Sequence, residues 1–192
     1  IQDQDAVKKL FDGIASRFPL GTSAAGSATW TTGSGNDSVH VIYAFIVGAF
    51  TIDLGAGSDS LDIFGSAASG DVTFVGGAGL DDLIVDTNFF DADLLLDGGD
   101  DNDTVFLANG LGTDLGRILT GGGDDSVTVR NETQTQLNID TGSGADTVDV
   151  RASALDRFFA ALGDDNDTLT IFGNLIRIET DLDGGAGESD RL

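Results

Sequence analysis

Cysteine is absent from the 192 residues, so neither a disulfide framework nor a thiolate metal site is available. Methionine is absent as well, position 1 included, and no signal peptide opens the chain. The expectation is a processed product or an excised piece of something longer. Basic residues are scarce, nine against 33 acids, for a formal net charge of −24. Such a surface repels nucleic acid and anionic membranes, and neither is expected as a partner. The longest apolar run, Val39–Phe50, is broken by His40 and Gly48, so no membrane insertion is expected.

What is present is equally one-sided. Thirty of the 33 acids are Asp, with Glu only at Glu132, Glu179 and Glu188, alongside 28 Gly. A generic solubilising surface mixes both acids and adds Lys. Asp beside Gly instead reads as turn chemistry or as oxygen ligands for a hard cation. Hydrophobic residues make up 40%, with twelve Phe, so the chain can bury a core and is not a disordered acidic tail.

Self-similarity organises the rest. Gly33 opens GSGNDSV, Gly55 GAGSDSL, Gly77 GAGLDDL, Gly99 GDDNDTV, Gly121 GGGDDSV, Gly142 GSGADTV, Gly163 GDDNDTL, and Gly185 a looser GAGESDRL. Successive openings lie 22, 22, 22, 22, 21, 21 and 22 residues apart. After each Asp an apolar-x-apolar pair follows (Val39/Val41 through Leu169/Ile171), the alternation of a half-buried strand. Three residues before each opening Gly stands a second apolar column from Trp30 to Leu182, read as a second strand. A weaker column (Phe45, Ala67, Phe89, Leu111, Thr133, Ala154, Leu175) suggests a third short side.

One such unit cannot bury its own apolar face, whereas stacked copies close a continuous core with strands about 4.8 Å apart. Equivalent strands run parallel, and right-handed coiling is the default. The expectation is an all-β, right-handed parallel β-solenoid (β-helix or β-roll) of about eight 21–22-residue rungs over residues 23–192. Residues 1–22 are expected as a cap or linker with an amphipathic helix over Asp3–Phe18, since Val7, Leu10, Phe11, Ile14 and Phe18 recur at helical spacing.

Stacked turns bring equivalent Asp residues into a column: Asp37, Asp59, Asp81, Asp103, Asp125, Asp146 and Asp167. Carboxylates about 5 Å apart repel by roughly 0.8 kcal/mol in water and about 3 kcal/mol at a surface dielectric near 20. A divalent ion between successive turns reverses that sign, and oxygen-only ligands suit Ca²⁺ better than Mg²⁺ or Zn²⁺. A plain Asx-turn accepts Asp or Asn, yet all seven well-formed copies carry Asp.

The motif resembles the calcium-binding nonapeptide GGxGxDxUx of RTX (hemolysin-type) proteins over perhaps nine of every 22 residues. That resemblance implies a right-handed parallel roll whose turn carbonyls and Asp side chains share Ca²⁺ ions between adjacent coils. It nominates as metal ligands the seven Asp above. With them go the backbone oxygens of Gly33, Gly35, Gly55, Gly57, Gly77, Gly79, Gly99, Gly121, Gly123, Gly142, Gly144 and Gly163. Asp101 and Asp165 occupy the third turn position, where the family has Gly, and join the candidate set. The motif comes once per rung rather than in tandem, so calcium is expected along one edge only. Asp190 sits one place late and is not counted.

The functional expectation is an extracellular or cell-surface, non-enzymatic, calcium-binding structural or adhesive module, its partners calcium ions and extracellular polysaccharide. The alternative is a carbohydrate-active β-helix, a polysaccharide lyase or epimerase or a sugar-binding module, centred on the equivalent residues Arg130 and Arg151. No Lys, His or Tyr joins those arginines in register, since Tyr43 lies four rungs away, and His40, set between two core-facing valines, reads as an incidental surface residue. A Thr ladder for ice begins at Thr29, Thr51 and Thr73 but breaks at Leu95. A second acidic column (Asp53, Asp97, Asp140, Asp183) recurs on alternate rungs and reads as a solvated face.

Overall fold

The computed structural model describes residues 7–10, 15–17, 23–187 and 189–191. These form a parallel β-solenoid of about seven turns. The chain enters through β1 (Val7–Leu10) and β2 (Ala15–Arg17). Four three-sided rungs follow, each a short, a long and a medium strand. They are β3 (Ser23–Ala24), β4 (Ala28–Ser34) and β5 (Ser38–Ile42); then β6 (Phe45–Ile46), β7 (Phe50–Ala56) and β8 (Ser60–Phe64). Next come β9 (Ala67–Ala68), β10 (Val72–Ala78) and β11 (Asp82–Asp86), then β12 (Phe89–Phe90), β13 (Leu94–Asp100) and β14 (Thr104–Ala108).

Thereafter short and long sides fuse. β15 (Leu111–Leu119), β17 (Thr133–Asp140), β19 (Ala154–Ala161) and β21 (Leu175–Asp183) alternate with β16 (Ser126–Arg130), β18 (Thr147–Arg151) and β20 (Thr168–Phe172). β15 pairs with β12 at Phe89↔Leu111 and with β13 at Leu94↔Gly116, so one strand continues two sides. A triangular cross-section thus becomes two-faced. The shortening from 22 to 21 residues falls at this junction: Gly112 (φ +96°) has no counterpart between Thr133 and Gln134 of β17. A positive φ of that kind suits Gly in a bulge.

Every rung-to-rung pairing is parallel and joins repeat equivalents, as in Val39↔Leu61 and Leu61↔Leu83. The apolar columns at medium and long strands point inward, with Val41, Ile52, Ile63, Phe74, Val85 and Leu96 all at 0% exposure. The three-sided rungs enclose a wider interior, and aromatics fill it. Trp30, Phe50, Phe74 and Phe90 form an edge-to-face series with centroids 5.1, 5.2 and 6.3 Å apart. Past β15 the core narrows to aliphatics such as Ile118, Leu137 and Leu155, with Phe158.

Two expectations change. The third column is outward-facing: Phe45, Phe89 and Leu111 are 57, 49 and 56% exposed, while the next residues, Ile46, Ala68 and Phe90, enter the core. A one-residue slip in a strand exchanges its faces, and two-residue strands carry too little alternation to fix the phase. In the segment expected as a helix, β1 and β2 are strands that pair with β4 and β5, for example Val7↔Ala28 and Ala15↔Ser38. An exposed sheet edge offers each of these residues a ladder partner outside its own segment, which overrides local helical spacing. The remaining residues of that segment lie outside the described ones.

The alternating acids receive an account. Asp53 and Asp97 both flank Val75, and Asp97 and Asp140 both flank Leu119. Placing them on every second rung sets them about 9.6 Å apart, twice the strand spacing, and avoids like charges directly across a ladder.

Phe50 is fully buried between Trp30 and Phe74. Phe50→Ala is expected to cost about 3–5 kcal/mol, read from urea unfolding, with the far-ultraviolet strand signal retained in water.

Candidate metal centre

The glycine turns join each long strand to its medium strand. Gly77 and Gly79 have φ of +115° and +122°, and a Cβ on Gly77 would stand 1.8 Å from the Gly55 carbonyl oxygen. Only a residue without a side chain permits that approach of successive turns. Asp101 and Asp165 hold the third position with φ of +77° and +82°, a left-handed conformation that Asp tolerates. Both side chains are exposed.

The Asp column is assembled as expected in register but not in environment. Asp37, Asp59, Asp81, Asp103, Asp125, Asp146 and Asp167 are only 1–3% exposed. Their carboxylates turn into the bend rather than lining its rim. From Asp59 onward each Oδ1 accepts the backbone N–H of the preceding rung's Asp. Asp37 N–H donates to Asp59 at 2.7 Å, Asp59 to Asp81 at 2.8 Å, Asp81 to Asp103 at 2.9 Å and Asp103 to Asp125 at 2.7 Å. The chain continues to Asp146 at 2.8 Å and Asp167 at 2.9 Å. It then reaches Asp190 at 3.1 Å. Asp190 therefore belongs to the column that its late position in the sequence excluded. The looser last turn holds one more residue, yet delivers the carboxylate to the same place.

The second oxygen has a different fate. Asp125 and Asp146 accept from the hydroxyls of Thr120 and Thr141, whereas the Oδ2 atoms of Asp59, Asp81, Asp103 and Asp167 are buried without a hydrogen-bond partner. Those of Asp81 and Asp103 lie against Gly76 and Gly98, where a Cβ would come within 2.5 Å. An unpaired buried acceptor costs about 1–3 kcal/mol, more when charged, so the column favours a positive species beside it, a proton or a cation.

Burial accordingly dominates the titration. It pushes Asp103 up to about 7, against the lowering effect of its bond from the Asp81 amide, with the Asp81, Asp125 and Asp101 charges adding to the rise. Asp81 and Asp146 rise to about 6, again chiefly through burial. Asp59, Asp125 and Asp167 shift upward for the same reason.

The turn carbonyls pair between rungs. Those of Gly99, Gly121, Gly142 and Gly163 accept from the next rung's Gly122, Ser143, Asp164 and Ala186 at 3.4, 2.9, 2.9 and 2.8 Å. Each keeps a second lone pair for another donor or ion. Among the described residues no three His, Asp or Glu side chains converge as a ready-made cage. Any ion held here relies on backbone oxygens for most of its shell.

A second buried polar column lies at the corner after each medium strand and was not anticipated. Ala44 N–H donates to Ser66 Oγ (3.1 Å), Ser66 N–H to Asn88 Oδ1 (2.7 Å), and Gly110 N–H to Glu132 Oε1 (2.7 Å). Glu132 N–H donates to Ser153 Oγ (3.1 Å) and Ser153 N–H to Asn174 Oδ1 (2.7 Å). The position reads Ala, Ser, Asn, Gly, Glu, Ser, Asn down the chain, and that variety hides the acceptor role shared by its Ser, Asn and Glu side chains. Burial pushes Glu132 up to about 7.

The residues of the carbohydrate reading are engaged elsewhere. Arg130 and Arg151 are register partners. Asp149 bridges them at 3.6 and 2.5 Å, and His40 contacts Asp62 at 3.1 Å, far from both. Comparison with known protein families, curated proteins and solved structures returned no match.

Raised carboxyl pKa values fix the direction of the pH dependence. The ladder's contribution to stability is complete below about pH 4, near the ordinary carboxyl value. It is lost as pH rises through 6 to 7. In chelator the melting temperature is expected to fall steadily from pH 4 to pH 8, measured by circular dichroism. Asp103→Asn keeps the acceptor for Asp81 N–H and flattens that slope, whereas Asp103→Ala costs about 1–3 kcal/mol at every pH.

Proposed function

We propose that this chain is a calcium-dependent structural or adhesive module of an extracellular or cell-surface protein, without enzymatic activity of its own. The reading rests on one observation: four buried Asp Oδ2 atoms, those of Asp59, Asp81, Asp103 and Asp167, have no hydrogen-bond partner. A divalent cation shared between neighbouring turns supplies the missing positive charge at neutral pH, where protons supply it only in part. Oxygen donors alone, on bends whose carbonyls retain lone pairs, suit Ca²⁺. Asp59, Asp81, Asp103, Asp125, Asp146 and Asp167 hold the ions, with the carbonyls of the turn glycines beside them. The formal net charge of −24 points the same way, since bound cations reduce the self-repulsion of a thin acidic rod. Extracellular placement follows from the weak affinity expected of such sites, which load at roughly 0.1–1 mM calcium.

Binding to the folded rod and not to the open chain makes stability rise with calcium, by about 2.7 kcal/mol per site at a hundredfold excess over Kd. Chelated protein titrated with Ca²⁺ or Mg²⁺ at neutral pH is expected to melt higher with Ca²⁺, with binding heats in calorimetry. An unchanged melting temperature and no heat would sink the reading. In that case the column is held by protons alone.

A further inference from the structure

The chain contains a single Asn-Gly step, Asn109–Gly110, and it falls at the corner where the second polar column is interrupted. Asn109 is exposed with φ +56°, just ahead of the three-to-two-sided junction. Both ends of its side-chain amide are held. Nδ2 donates to Asp86 Oδ1 at 2.7 Å, and Oδ1 accepts from Asn131 Nδ2 at 3.0 Å. The backbone nitrogen that follows is held from the other side: Gly110 N–H donates to Glu132 Oε1 at 2.7 Å. Glu132 is 3% exposed and seated directly on Gly110, since a Cβ there would meet Oε2 at 2.6 Å and Oε1 at 3.0 Å. Other rungs carry Ala44, Ser66, Asn88, Ser153 or Asn174 at this position, so only here does the backbone lie bare beneath a carboxylate.

We propose that Asn109–Gly110 is a self-modifying site at which Glu132 is the general base for cyclisation of the Asn109 side chain onto the Gly110 nitrogen. Glu132 takes the Gly110 N–H proton. The Gly110 nitrogen bonds to Asn109 Cγ, with a rotation about the Asn109 Cα–C bond bringing the two together. Asn131 Nδ2 stabilises charge on the carbonyl oxygen as the tetrahedral centre forms. The Cγ–Nδ2 bond breaks, and the amide nitrogen leaves as ammonia, carrying the proton that Glu132 accepted. Water from the exposed side then opens the five-membered imide, leaving Asp or isoaspartate at position 109. No oxidant or cofactor is required.

The product carries a carboxylate where Asp86 had accepted an N–H. Two acids now face each other at that corner. The isoaspartate form also adds a backbone methylene to a rung whose register allows none. Asn131 is followed by Glu132 rather than Gly and has no glycine nitrogen beneath a carboxylate, which makes it an internal control on the same corner.

The test is to incubate the folded protein with calcium across the neutral pH range and map amide loss and isoaspartate by peptide mass spectrometry. The chain unfolded in urea is run in parallel. The folded protein is expected to convert at residue 109 about 10²-fold faster than the unfolded chain, the low end of what a positioned base supplies. Its rate should level off above the Glu132 pKa of about 7, whereas the unfolded chain's rate keeps rising with hydroxide. Glu132→Gln should remove both the acceleration and the plateau, with folding checked by circular dichroism. If that variant does not fold, the pH profile of the unaltered protein decides. Conversion no faster in the folded protein than in urea, or a rate unaffected by Glu132→Gln, overturns the proposal.

Discussion

Everything in this molecule depends on successive rungs meeting in parallel register. The ladder amides of a rung find their partners one rung away, and the same translation that aligns amides aligns side chains by type. Asp stacks over Asp, Val over Leu, glycine carbonyl under glycine. The register is therefore both the fold's source of stability and its electrostatic liability. The chain answers the liability differently on its inside and outside. Outside, the column of Asp53, Asp97, Asp140 and Asp183 skips a rung and keeps an apolar residue between its acids. Inside, the carboxylates cannot skip, because each one terminates an otherwise unpaired amide of the rung before it.

That inner arrangement gives the aspartates two jobs. Oδ1 closes a backbone valence, a role independent of any ion, and Oδ2 waits for charge compensation. Asn would serve the first job equally well. The proposed calcium reading ties the persistence of Asp at every well-formed turn to the second. The turn glycines are required on separate grounds, because successive carbonyls pass so close that a Cβ would overlap them.

Much of this was readable in the sequence. The Asp column, its residue-by-residue register and the inward faces of medium and long strands all follow from a 21–22-residue recurrence and period-two alternation. Three things were hidden, for separate physical reasons. The phase of the two-residue strands was lost because Phe89 and Phe90 are both apolar, and only burial reveals which one enters the core. The second polar column was missed because Ser66, Asn88, Glu132 and Ser153 share a function without sharing a side chain. Asp190 stands one place late along the chain, and only the loosened bend restores it to the column in space. The strands β1 and β2 lay under a helical spacing that neighbouring strand edges overrule.

The bulge at Gly112 bears on how such a rod tolerates change in length. A strand that loses one residue turns its core outward, so almost every position in a rung forbids deletion. The junction between short and long sides is the exception: there a residue was dropped between β15 and β17 while Leu111↔Thr133 and Leu115↔Gln136 both stayed paired. Within the strands the change of length falls at this one seam, which doubles as the place where the girth changes, and outside them only the last turn takes an extra residue.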